Sequence, residues 1–173
     1  MATATTPTAI PASELGFTPA FKRVAQQENF DDLFACIAML AGKTLEEVRT
    51  TAIKQFRHPE HGPYYIDEQL VASLCAHYQF VSTVWKEVTT PISGLPDLAI
   101  LMIEYNATLE QGRSVLFHRM RPSNGPKPVI EYVVDPAPWV PPQMQIRVDL
   151  KSLMPSWVIA VHPMNAPATY SKK

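Results

Sequence analysis

From Leu33 to Ala41 the chain is apolar at every position, between the acidic pair Asp31-Asp32 and Gly42. An acidic N-cap, a closing glycine and no polar face between them predict a helix buried on all sides. Thr44-Leu-Glu-Glu predicts a second helix, in which Thr44 and Glu47 form a capping box, running to about Phe56. Arg57 to Tyr65 contains Pro and Gly and reads as a loop. A third helix is predicted from Asp67 to Tyr78, with Leu70, Val71, Leu74, Cys75 and Tyr78 along one stripe. The pattern then shifts to strands at Val81–Val88, Leu98–Tyr105, Val115–Met120, Val129–Val134 and Trp157–Val161, separated by Pro, Gly and Asn. Helices first and strands second define an α+β class. The clearest hairpin flanks Pro122-Ser-Asn-Gly-Pro-Lys, with its turn at Asn124-Gly125.

Composition narrows this picture. A length of 173 residues, 46% hydrophobic and 18% charged, suits one folded domain. Residues 1–15 and 164–173 read as disordered tails around an ordered domain at 16–163, because Met1 to Ser13 is aperiodic Ala, Thr and Pro and the far end is similarly polar. A formal charge of -1 with no basic run argues against nucleic acid. No stretch approaches a membrane span or a secretory signal, so a cytoplasmic protein without a membrane partner is expected. The two cysteines, Cys36 and Cys75, both lie in apolar helical patterns and are expected to be reduced.

A buried helix ahead of an antiparallel sheet is the papain-like layout, in which the nucleophile sits at the positive N-terminus of the central helix. The stretch Gln27-Glu-Asn-Phe-Asp31-Asp32-Leu33, running into Ala38-Met-Leu-Ala-Gly42 and Thr44-Leu-Glu-Glu-Val48, resembles the bacteriocin-processing (double-glycine leader) cysteine peptidases. In that family a Gln precedes an Asp-Cys-Gly run, and an Ala- and Met-bearing helix, a Gly and a Glu-rich helix follow. The resemblance places Gln27 at the oxyanion-hole glutamine and Asp31 at the family aspartate, and it puts Asp32 where the nucleophilic Cys belongs. In its second half a His opens one hairpin strand and an Asp-Pro closes the next. Asp135-Pro136 matches the latter, and counting ten residues each way from Asn124-Gly125 puts Ser114 at the histidine position. The resemblance spans roughly Val24 to Pro163 and implies a papain-like domain in which a buried N-terminal helix and further helices pack on a C-terminal antiparallel sheet.

Serine cannot replace imidazole as a base near neutral pH, and a carboxylate is a poor substitute for a thiolate, so the resemblance implies a pseudo-peptidase. Its remaining function would be to bind a peptide or partner protein in a cleft carrying Gln27, Asp32, Ser114 and Asp135, with no cofactor. A plainer reading makes Asp31 or Asp32 only a helix cap and Asp135 a turn residue. The rival reading is an active cysteine peptidase or hydrolase using Cys36, His118 and Asp135. Against it, Cys36 lies one helical turn, about 5.4 Å, beyond Asp32. His118 lies about 13 Å along the strand from Ser114, on the same sheet face. His58, His61, Cys75 and His77 could also be assembled into a metal site, but their spacing matches no zinc pattern, and no metal is expected. Should Tyr64, Tyr65, Trp85 or Trp139 lie outside the core, the loops Arg57–Tyr65 and Pro136–Pro142 would flank the cleft.

Overall fold

The computed structural model describes residues 16–62, 66–121 and 128–165. The tail at 1–15, most of the tail at 164–173, Tyr64, Tyr65 and the turn at Asn124-Gly125 therefore lie outside the described residues. Three helices come first: α1 Asp32–Ala41, α2 Leu45–Phe56 and α3 Glu68–His77. α1 stops because Gly42 takes a left-handed φ of 64°, which turns its N–H and that of Lys43 back onto the carbonyls of Met39 and Ala38. α2 has the full capping box, with Glu47 N–H donating to Thr44 Oγ1 at 3.2 Å and Thr44 N–H to Glu47 Oε2 at 2.8 Å. Asp67 caps α3 by accepting from Leu70 N–H at 2.8 Å.

The strands follow: β1 Phe80–Ser82, β2 Lys86–Glu87, β3 Leu98–Asn106, β4 Gln111–Met120 and β5 Ile130–Val134. After them come the short helix α4 Pro142–Gln145, β6 Ile146–Arg147 and β7 Pro155–Pro163. They form one antiparallel sheet in the order β1-β7-β3-β4-β5-β6, with β2 also on β7. The strand expected at Val81–Val88 is divided, because Trp85 N–H leaves the ladder to meet the Glu68 carboxylate of α3 at 2.8 Å. α4 and β6, in the Pro-rich stretch after Asp135, have no counterpart in the hydrophobic pattern. Among the described residues no helix is long and apolar enough to cross a membrane.

Each sheet face has its own core. Phe34, Ile37 and Leu74 from the helices meet Ile100, Leu116 and Ile159 on one face. On the other, Leu101, Val115, Phe117 and Val133 are covered by Leu95, Leu150 and Leu153 from connecting segments. Burial on both faces explains the unbroken apolar runs of β3 and β4. As expected, α1 is buried nearly all round, with only Leu33 and Ala41 partly exposed.

β3 and β4 lose register between Ile103 and Asn106, where Glu104, inside the irregularity, and Glu110, just before β4, have φ of 54° and 51°. Gly112 lies opposite it, and a Cβ there would sit 2.7 Å from the Ile103 carbonyl oxygen. The bulge re-aims Glu104 out of the ladder's alternation, which shapes one end of the sheet.

Candidate functional site

The turn into α1 sets the first half of the site. Phe30 has a φ of 72°, unusual for a residue with a side chain. Asp31 occupies the N-cap position but does not cap the helix. Its Oδ2 instead accepts from Gln27 N–H at 3.2 Å and Glu28 N–H at 3.1 Å, which closes the turn before the helix. The role of carboxylate at the helix start passes to Asp32, which is buried, faces the amides of Asp32 and Leu33, and accepts a hydrogen bond from the Ser114 N–H across on β4. Burial pushes the Asp32 carboxyl above its usual range, and the bonds from Ser114 and the helix amides pull it partly back. A cleft of about 230 Å³ opens here, bounded by Phe30, Leu33, Trp85, Met102 and Gly112.

Asp32 and Ser114, matched from opposite ends of the sequence, therefore meet. Asp135 does not join them. The β4–β5 ladder pairs Leu116 with Val134 and Met120 with Ile130, a register that sets Asp135 level with Val115 rather than with Ser114. A shift of one residue reverses the face a side chain takes. Asp135 accordingly lies on the far side of the sheet, where its Oδ2 receives Arg113 Nη1 at 2.5 Å and its Oδ1 receives Ala137 N–H at 3.0 Å. Arg113 also grips both oxygens of Glu104, at 2.6 and 2.9 Å. Burial works against the Arg113 charge, but the two carboxylates outweigh it and hold the guanidinium protonated above its ordinary range. Arg23 ties the N-terminal segment to this corner by donating to the carbonyls of Asp135, Pro136 and Ala137 at 2.6, 3.2 and 2.8 Å.

Gln27 is exposed, and its neighbour Gln26 is the buried glutamine of the pair. Gln26 Nε2 donates to the Glu28 carbonyl at 3.2 Å, while Oε1 has no partner among the described residues. Cys36 is wholly enclosed in the helix-side core, and burial, reinforced by Asp32 and Asp135, pushes its thiol well above the usual range. His118 shares the helix-facing side of β4 with Ser114, but its Nδ1 lies 3.0 Å from the Tyr132 hydroxyl and Phe21 covers its ring. Cys36, His118 and Asp135 are thus held apart, in the core, in a half-buried pair with the core residue Tyr132, and on the opposite face. Cys75 is buried too, its thiol raised to about 11, while His58 stacks edge-on with Phe34 and His77 with Phe56 and Tyr78. Among the described residues no three His, Cys, Asp or Glu side chains group to hold a metal.

The described ends of the loops expected to flank the Asp32 cleft border other clefts. Arg57 and His58 border a groove between α2 and α3, and Val140 and Pro141 border a cleft of about 510 Å³ on the far face of the sheet. Of the four aromatics, Trp85 lines the Asp32 cleft, and Trp139 is exposed. Arg113, Arg147 and Glu104 stood out by no motif. Their signal is positional, two strand residues and a bulge that the apolar pattern leaves blank.

No protein-family model and no curated protein matches the chain. Among solved structures it is similar to a double glycine motif protease from an AMS/PCAT transporter in complex with the leader peptide. The TM-score is 0.51 at 14% identity, covering 83% of this chain and 91% of that one. The likeness is one of fold: helices and an antiparallel sheet arranged as in a papain-like peptidase domain.

Proposed function

We propose that this chain is a catalytically silent papain-like domain that holds an extended peptide, or a segment of a partner protein, in the cleft between α1 and the sheet. The observation that carries this reading is the Asp32–Ser114 hydrogen bond, which joins the two positions matched to nucleophile and base through a carboxylate and a backbone amide. Neither group attacks a carbonyl at neutral pH as a thiolate–imidazole pair does. Cys36, the nearest thiol in sequence, is enclosed and held protonated. What remains is a groove with an apolar rim of Phe30, Leu33 and Trp85 beside a polar floor. The similar protease was solved with a leader peptide, so a double-glycine leader peptide is the natural probe for this groove.

The test is fluorescence anisotropy with a fluorescein-labelled synthetic double-glycine leader peptide, followed by mass spectrometry of the peptide after long incubation. Saturable binding of an intact peptide, weakened at least about tenfold by Phe30→Asp at the exposed rim, is expected. Absence of binding or cleavage of the probe overturns the reading. In parallel, iodoacetamide should label Cys36 and Cys75 of the native protein only as slowly as it unfolds, and rapid modification of Cys36 alone would restore the enzyme reading.

A further inference from the structure

The far-face cleft holds two arginines and two carboxylates, and their bonds are unevenly distributed. Both oxygens of Glu104 and one of Asp135 are spent on Arg113, and the other Asp135 oxygen is spent on Ala137 N–H. Arg147, brought in by β6 pairing with Val133, is left over. It is 9% exposed, lines the cleft, and its buried Nε has no hydrogen-bond partner among the described residues. An unmatched guanidinium in a buried position is costly unless an anion comes to it. Burial works against its charge, Arg113 adds to that, and the nearby carboxylates of Asp135, Glu104 and Asp149 only partly restore it. The walls around it are apolar, from Val140, Met144 and Leu153, with Met154 82% exposed at the mouth. A volume of about 510 Å³ is in the range of small-molecule sites.

We propose that this cleft binds a small organic monocarboxylate, its carboxylate on the Arg147 guanidinium and its apolar body against Val140, Met144 and Leu153. A planar guanidinium lining the cleft matches a carboxylate edge. The neighbouring Glu104 and Asp135 carboxylates disfavour a dianion such as phosphate, because a second negative charge would face them without a cation of its own. The site is separate from the peptide groove and does not depend on it.

The probes are N-acetyl-leucine, its neutral amide and inorganic phosphate, titrated into full-length protein carrying methyl-labelled methionine and followed by NMR. N-acetyl-leucine should shift Met144 and Met154 saturably while leaving the core residue Met39 unmoved, with the amide at least about tenfold weaker. Arg147→Gln should weaken binding at least about tenfold. Met154→Glu, at an exposed position where the fold is insensitive, should weaken it at least about threefold by repulsion and serves if the first variant does not fold. No shift of the two methionines by about 10 mM overturns the proposal. Equal binding of the amide or of phosphate, or unchanged affinity in a folded Arg147→Gln or Met154→Glu variant, does so as well.

Discussion

Two clefts occupy the same end of β3 and β4 on opposite faces of the sheet, and consecutive residues feed them: Ser114 and Gly112 line one, Arg113 the other. They manage buried charge differently. On the helix side a single carboxylate, Asp32, is met by the Ser114 hydroxyl, backbone amides and a helix N-terminus, with no cation bonded to it among the described residues. On the far side Asp135 and Glu104 are met by a guanidinium in short, direct bonds. Dipoles tolerate a group that stays partly protonated, whereas a salt-bridge network holds its charges fixed. The far side has the fixed polarity that orients a small anion, whereas the helix side sets the rims of Phe30, Leu33 and Trp85 around a carboxylate without a bonded cation.

The sharpest way to break this contrast is Asp135→Ala. It strips Arg113 of its buried partner and Ala137 of its acceptor, and should cost about 3–5 kcal/mol in chemical denaturation. Asp32→Ala leaves the Ser114 amide unsatisfied and should cost about 1–3 kcal/mol by the same measurement. If Asp32→Ala proves the more damaging, the charge on the helix side is doing more than its dipole partners suggest. Glu104→Gln, at a carboxylate mostly open to water, should cost about 0.5 kcal/mol at neutral pH.

The pH dependence of these variants separates the two faces by sign. Burial raises the native Asp32 pKa above its unfolded value, so its contribution to stability falls as pH rises through the native pKa. Asp32→Asn should therefore melt higher than the parent at neutral pH, and the gap should close as pH drops toward about 4. The hydrogen bonds and charge of Arg113 lower the native Glu104 pKa, so its contribution is present above the unfolded value and is lost as pH falls through the native one. Glu104→Gln should melt lower than the parent at neutral pH, and its gap should also close in acid. Thermal melts across pH check both, and a shared sign would abolish the distinction.

The three helices could be read closely from the chain because their ends are written in local chemistry: Gly42, the Thr44–Glu47 box and Asp67 act within a few residues of themselves. Asp32 facing Ser114 was also within reach, since the resemblance assigned the two positions to one site from independent motifs. The place of Asp135 was not. Counting outward from Asn124-Gly125 misses by one residue, and a strand converts one residue into the opposite face. The loop residues were hidden for another reason. Arg147 lies on a two-residue strand after four prolines between Pro136 and Pro142, where no period of 2 or 3.6 can develop. Gln26 and Gln27 differ only in which way a turn points them, and composition does not distinguish them.

Gly112 carries a consequence for how this chain tolerates change. At Gly42 the demand is conformational, and asparagine, which accepts left-handed angles, should survive there in a saturation library sorted for folded protein. At Gly112 the obstacle is a neighbouring strand's carbonyl, so no substitution escapes it. The same library should return glycine alone at that codon, and every other variant should lose the strand contact that both clefts share.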